Sequence, residues 1–387
     1  MRLAIISHKR CWRPSDGGTS FTTDGGFPFQ VRAIAELFDE TVLLVPCTSG
    51  PSAPGLTALQ GRHLSVAPLT EPDGHDLRRK IGFPLWLLRN GLHLVRQAKR
   101  ADVLHTPVPG DIGLMGMLIG LILRKPLFVR HCGNWLQQAT AAERLCKWLM
   151  ERVVGGRHVM FATGGGTEQP SDQNPRIQWI FSSTLTEAEL DALDTERRPP
   201  TGGRLRLITA GRQEREKGTG VTIESLPLLL KQRPLVTLDV LGDGMHLQEF
   251  KELARTLQVS DRVRFHGNVS HATLLEQFRA ADLFCFPTRA SEGFPKVVIE
   301  AMACGLPVVT SQVSVLPSLT RECGIALGDL SVASVTAAVL QCVAEPETYS
   351  RMSGRARQTA REYSLERWRD TIGGSLRSVW GPLRSGV

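Results

Sequence analysis

Short apolar runs of strand length alternate through this chain with longer stretches of helical period. In the first half the runs are Leu3–Ile6, Val42–Val45, Val103–His105, Leu127–Arg130 and Val159–Ala162. The second half repeats the pattern at Leu205–Thr209, Thr237–Leu241, Val263–His266, Leu283–Phe286 and Val308–Thr310. Helical stretches lie between them: Gln30–Phe38, Pro84–Arg100 and Glu143–Val154, then Gly220–Lys231, Leu247–Leu257, Ala272–Ala280 and Pro295–Ala303. Such alternation specifies α/β architecture, with parallel sheets joined by helical crossovers. At 387 residues the chain exceeds one ordinary core. The charged, Pro/Gly-rich segment Thr195–Gly203 has no apolar period and predicts a linker. Two Rossmann-like domains are therefore expected, over residues 1–195 and 204–364, facing each other across a cleft. The last helical pattern, Leu365–Trp380, carries Trp368, Leu376 and Trp380 and is expected to pack back on the first domain, with residues 365–387. Ligands of such sheets sit beyond the carboxyl ends of the strands.

A formal charge of +8 favours anionic partners: nucleotides, nucleic acid or an acidic membrane surface. Aromatic residues make up only 6%, which leaves no stacking platform and argues against nucleic acid. The eight cysteines contain no C-x-x-C pair, and Cys285 and Cys304 lie inside apolar patterns. This predicts reduced, buried thiols in a cytoplasmic protein, with neither a disulfide framework nor a zinc site. The apolar run at Met1–Ser7 is too brief for a signal peptide. The most apolar stretch, Ile112–Leu123, is short of a bilayer span and holds three glycines. Any membrane contact is then peripheral, at the inner membrane face. The candidate is segment 78–100, where Arg78-Arg79-Lys80 leads into Ile81–Arg89 with Trp86, and Arg96, Lys99 and Arg100 follow. That pattern fits a helix lying on an anionic surface. It also fits, more simply, a helix that packs its apolar stripe on the sheet and solvates its charges.

The densest chemistry lies in Ser291–Val309. Glu292 falls in a loop and Glu300 about two turns into the following helix. Pro295 suits a first helical turn, where its missing N–H costs nothing. Free N–H groups around Gly293 and Phe294 would face the same space as the carboxylates, a geometry for an anion that carries hydroxyls. The plainer alternative is a buried α/β unit with two solvated glutamates. Arg212 and Lys217 follow a strand end, and Lys217-Gly218 opens a helix. A guanidinium fork and a compact ammonium there suit two phosphates, unless they merely pair with Glu214 and Glu216 for under ~1 kcal/mol.

In order, Gly211-Arg212-Gln213-Glu214-Arg215-Glu216-Lys217-Gly218, Leu241-Gly242-Asp243-Gly244, Val263–Val269, Ala281–Pro287 and the Glu292/Glu300 segment resemble the retaining GT-B glycosyltransferases of family 4, the glycosyl transferases group 1. The resemblance implies metal-independent transfer of a sugar from a UDP- or GDP-linked donor to a glycan or lipid-linked acceptor, in polysaccharide or glycoconjugate synthesis. It places Arg212 and Lys217 on the diphosphate, Glu300 on the ribose and Glu292 on the donor sugar. Gly211, Gly242, Gly293, Phe294 and Pro295 would line the donor, and the Gly267–Val269 loop would seat the base. In the first half, Gly25 and Gly26 precede a helix as the family's diphosphate-approaching glycines do, with Gly17-Gly18 a competing pair. His131, at a strand end, matches the family's sugar-contacting histidine, and His105 competes with it. The family's Asn-Gly-Val-Asp turn is absent; Phe181-Ser182-Ser183-Thr184 stands there. No Asp-x-Asp marks a strand end, so no metal and no cofactor are expected. A silent sugar-nucleotide-binding protein or a nucleotide-sugar epimerase of the same fold are the alternatives.

Overall fold

A computed structural model of the protein describes residues 1–13, 20–50, 55–72, 74, 76–166 and 168–385. Strands in the first part of the chain are β1 (Arg2–Ile6), β2 (Cys11–Arg13), β3 (Thr22–Thr23), β4 (Glu40–Ser49), β5 (Thr57–Ala58), β6 (Leu64–Leu69), β7 (Val103–Val108), β8 (Leu127–His131), β9 (His158–Thr163) and β10 (Gln178–Ile180). They are followed by β11 (Arg204–Ala210), β12 (Leu235–Leu241), β13 (Val263–Gly267), β14 (Leu283–Phe286), β15 (Val308–Ser311) and β16 (Gly324–Leu327). Helices are α1 (Phe27–Ala35), α2 (Asp76–Arg100), α3 (Asp111–Ile122), α4 (Ala141–Val153), α5 (Glu187–Leu193), α6 (Thr219–Leu230) and α7 (Leu247–Thr256). Then come α8 (His271–Ala280), α9 (Lys296–Ala303), α10 (Leu316–Thr320), α11 (Val332–Cys342), α12 (Pro346–Ala360) and α13 (Leu365–Trp380).

The chain divides into two units, Met1–Ser182 with Leu365–Val387, and Ser183–Ser364. In the first, parallel strands run in the order β10-β9-β8-β7-β1-β4, with β6 also parallel on β4. Both faces of this sheet are covered, which is why its strands read as continuous apolar runs rather than alternating ones. Leu3 and Ile5 of β1 enter one core with α1 and α13, while Ala4 and Ile6 enter the other with α2, α3 and α4. Helix α13 is held there by buried Trp368, Ile372 and Leu376, and by Trp380 Nε1 donating to the Arg157 carbonyl at 2.9 Å. The guanidinium of Arg130 stacks on the Trp368 ring, 4.8 Å from its centroid. In the second unit six parallel strands run β13-β12-β11-β14-β15-β16.

Several expectations change. The segment Thr195–Gly203 lies within the second unit, and the chain passes between units at Ser182/Ser183 and Ser364/Leu365. Residues 183–194 are tied to the second unit by polar contacts: Thr184 Oγ1 donates to Glu300, and Arg361 pairs with Asp191 and Asp194. Arg197 then caps α9 by donating to the Cys304 carbonyl at 2.9 Å. The Pro/Gly-rich stretch therefore marks an excursion of that unit, not the crossover. The cysteines also depart from expectation. Cys11 and Cys47 face each other in the β2/β4 register and form a disulfide, while Cys132 is exposed. Cys285 and Cys304 are buried free thiols, as their apolar surroundings require.

Helix α2 starts at Asp76, so Pro84 lies inside it rather than at its start. Trp86 faces inward and donates to the Thr70 carbonyl at 2.7 Å. Among the described residues no helix is long and apolar enough to cross a membrane. Ile112–Leu123 instead forms α3, whose Ile112, Met117 and Ile119 fill the core.

Candidate active site

In the second unit the expected residues gather at the carboxyl end of β11 and β12 and at the start of α9. Strand β11 ends at Ala210, and the chain turns through Gly211 (φ +151°) into Arg212 and Gln213. Gln213 is fully buried and ties the site's loops together. Its side-chain amide donates to the Gly211 and Leu241 carbonyls at 2.9 and 3.0 Å, and its oxygen accepts from Thr219 Oγ1 at 2.9 Å. Its backbone N–H bonds the Asp243 carbonyl at 3.0 Å. Gly242 must be glycine here: at φ +105° a Cβ would lie 2.0 Å from the Gly211 carbonyl oxygen. The Gly242 N–H in turn reaches the Gly267 carbonyl at 2.7 Å. Gly211, Gly242, Gly267 and half-buried Val269 are thus neighbouring loop positions of one sheet end.

Lys217 closes a 3₁₀ turn over Arg215–Lys217 and precedes Gly218, which sits at φ +87° as N-cap of α6. A Cβ at Gly218 would fall 2.4 Å from the Pro287 carbonyl oxygen. That close approach, with Arg289 N–H donating to the Glu216 carbonyl at 2.6 Å, fixes Lys217 against the loop after β14. Its ammonium meets Glu292 Oε1 at 2.5 Å, with both side chains only 14% exposed. Arg212 behaves differently. It is 76% exposed and pairs with Glu214 at 3.0 Å, the solvated arrangement that its charged run also allowed.

Helix α9 begins at Lys296, and Pro295 is its N-cap rather than its first helical residue. The first-turn N–H groups of a helix have no intrahelical acceptors, and among the described residues Gly293 and Val297 N–H meet no backbone carbonyl. Phe294 is buried, 5.4 Å from the Tyr363 ring, and anchors the loop. Glu300 is 6% exposed and accepts from Thr184 Oγ1 at 2.5 Å. His271 Nδ1 stands 3.6 Å from the same oxygen. One carboxylate oxygen is therefore oriented by a hydroxyl, and Oε2 takes no partner among the described residues. Sequence reasoning missed Gln213 and Thr184. The departure of Phe181–Thr184 from the family turn was the one signal that pointed to Thr184.

The remaining candidates lie on the first unit. Gly25 adopts φ +69° and Gly26 is the N-cap of α1, which starts at Phe27, three residues earlier than the sequence pattern indicates. Gly17 and Gly18 lie outside the described residues. The two histidines are distinguished by their partners. His105 stacks on Phe128 at 4.0 Å, and its Nδ1 is 2.8 Å from the Phe128 carbonyl, a core arrangement. His131 Nδ1 lies 3.2 Å from the Gly133 carbonyl, and its buried Nε2 has no partner among the described residues. With Nδ1 donating, Nε2 is left as an acceptor.

Burial pushes His131 down to about 4 and His105 to about 3. Both rings are neutral in the folded chain at pH 7. Unfolding releases them to titrate near 6.5, so below that pH the unfolded state binds the extra protons. Stability from these burials is complete above pH 6.5 and declines toward the folded values. Between pH 6.5 and about 5 each histidine is expected to remove about 2 kcal/mol. Urea titrations at the two pH values measure this, and an unchanged midpoint would contradict the burial of both rings.

Residues 194–359 match the model of the glycosyl transferases group 1. A glycogen synthase of Mycobacterium tuberculosis is 31% identical over 197 residues, 49% of this chain and 47% of that protein. A GDP-mannose-dependent alpha-(1-6)-phosphatidylinositol monomannoside mannosyltransferase of Mycolicibacterium smegmatis is 28% identical over 43% of this chain and 45% of its own. The matched stretch thus spans about half the length of these relatives. In three dimensions HepE of Anabaena, solved with UDP and glucose, superposes with a TM-score of 0.71 at 16% identity, covering 97% of this chain and 99% of that one. The chain has the GT-B fold, and its residues 194–359 carry the match to the glycosyl transferases group 1 family.

Proposed function

We propose that this protein is a retaining glycosyltransferase that moves a sugar from a UDP- or GDP-linked donor to a glycan or lipid-linked acceptor. The observation that carries the reading is the half-buried Lys217–Glu292 pair at the mouth of α9, with Glu300 on the helix below it. Lys217 spends one of its three N–H donors on Glu292, which leaves two for a diphosphate. Arg212 exchanges an exposed pair worth under ~1 kcal/mol for a bidentate phosphate contact. As the bond from the anomeric carbon to the diphosphate breaks, negative charge grows on the leaving oxygen. Both cations then stabilise the transition state more than the ground state. The first-turn N–H groups of α9 add partial positive charge in the same place.

Glu292 accepts from hydroxyls of the donor sugar and faces the developing oxocarbenium charge. Glu300 Oε2 takes the ribose hydroxyls. The acceptor oxygen bonds to the anomeric carbon on the face that the diphosphate leaves, and its proton passes to the departing phosphate oxygen. Configuration is retained without a covalent enzyme intermediate. In this scheme protein cations and N–H groups neutralise the leaving group, so added chelator leaves the rate unchanged.

Similar proteins include HepE, solved with UDP and glucose, and a GDP-mannose-dependent mannosyltransferase, which makes UDP- and GDP-sugars the first donors to test. A thermal-shift screen of UDP, GDP and ADP sugars, followed by assay of diphosphate release, checks the reading. One donor class is expected to raise Tm and to release nucleoside diphosphate. Binding without any release would reduce the protein to a sugar-nucleotide binder.

A further inference from the structure

Helix α2 is apolar on two opposite faces, unlike an ordinary surface helix. Its inner face is fixed to the first unit by Trp86 and Asn90, which bond Thr70, and by buried Leu94 and Ala98. The opposite face is expected to be polar. Instead it shows Ile81, Leu85, Leu88 and Leu92, which are 72%, 52%, 78% and 81% exposed. At ~100° per residue these four fall within one narrow arc, a stripe ~16 Å long. The neighbouring α3 ends in Ile122, also largely exposed.

Charge on the helix selects the occupant. Arg89, Arg96, Lys99 and Arg100 are exposed beside or beyond the stripe, and none forms an ion pair among the described residues. The helix contains a single acid, Asp76, at its first residue. A linear apolar stripe flanked by unpaired cations complements the boundary between lipid headgroups and acyl chains. The leucines enter the acyl region while the cations meet headgroup phosphates.

We propose that the outer face of α2 docks the protein on an anionic bilayer surface, with Ile81, Leu85, Leu88 and Leu92 inserted. Trp86, the residue that most suggests an interfacial anchor in the sequence, takes no part, because it faces the core. The docking is independent of the donor chemistry.

Flotation of the full chain with phosphatidylglycerol/phosphatidylcholine vesicles, against phosphatidylcholine alone, tests it. Binding is expected to anionic vesicles only and to weaken as salt rises. Leu88→Glu with Leu92→Glu is expected to lower the partition constant by about a hundredfold or more. Arg89→Gln with Arg96→Gln and Lys99→Gln is expected to lower it by about a hundredfold. Both variants replace exposed side chains, so circular dichroism and nucleoside diphosphate release should match the wild type. Failure to float at low salt, or equal flotation of the leucine variant, would overturn the proposal. So would a dimer in sedimentation velocity that Leu88→Glu dissolves, since the stripe would then belong to a second copy of the chain.

Discussion

Replacing Lys217 by alanine is expected to lower kcat by about a hundred- to a thousandfold, the usual cost of removing one preorganised donor from a developing anion. The donor KM should change far less. A ground-state phosphate contact would move KM instead, so the split between the two constants reports where the ammonium acts. The substitution also strands Glu292, whose Oε1 loses its 2.5 Å partner in a site only 14% exposed. Part of the loss is therefore misplacement of a carboxylate that should face the sugar. Lys217→Arg separates the two effects. It keeps a cation for Glu292 but cannot reproduce a compact ammonium beside the Gly218 turn, where a Cβ would already overlap the Pro287 carbonyl. A partial recovery of kcat is expected. Full activity of Lys217→Ala, with steady-state kinetics on the donor identified by screening, would remove Lys217 from the chemistry.

Glu300→Ala is expected to act on binding first. A hydrogen bond to a charged group contributes about 1.5–3 kcal/mol, so if the carboxylate holds two ribose hydroxyls as proposed, its loss raises the donor Kd by about a hundredfold or more. The fold should survive: Thr184 is itself buried, and the space that the carboxylate vacates can hold a water for its hydroxyl. A donor analogue with 2′-deoxyribose sharpens the test. It should bind wild type more weakly, yet bind Glu300→Ala no more weakly than the intact donor does. Thr184→Val retains the carboxylate but releases Oε1. A several-fold rise in Kd is expected, because the freed carboxylate samples more rotamers. Calorimetric titration measures all three, and additivity of the analogue and Glu300→Ala losses would place the ribose elsewhere.

How far the sequence carried this account depended on whether each feature is local. The strands of the second unit were legible because parallel strands covered on both faces become apolar runs, uninterrupted at Leu283–Phe286 and broken only by Arg206 within Leu205–Ile208. Short edge strands gave less: Gln178–Ile180 and Gly324–Leu327 hold three and four residues and carry no period. Pro84 misplaced the start of α2, since a proline after a loop-like stretch reads as a first helical residue. Cys11 and Cys47 are paired by strand register across 36 residues, which no spacing rule reveals.

At the site, the charge-bearing residues Lys217, Glu292 and Glu300 were legible from their spacing about strand ends and helix starts. Which cation is held and which is solvated was not. Lys217 is fixed by the Glu216 carbonyl, which accepts from the Arg289 and Ala290 N–H groups and from Thr288 Oγ1 where the β11/β14 pairing brings the two loops together. Arg212, two residues past the end of β11, points to solvent. Gln213 was invisible for the same reason: an uncharged amide inside a charge run acquires its role only when two strand ends meet.

In the proposed reaction Lys217, Glu292 and Glu300 form one wall of the nucleotide-sugar site. The rate of nucleoside diphosphate release from a purified panel of UDP- and GDP-sugars, wild type against Lys217→Ala, tests it most directly. Release from one donor class, lowered by about a hundredfold or more in the variant, is the predicted result. Release at equal rates by both proteins, or by neither with any donor in the panel, would contradict it.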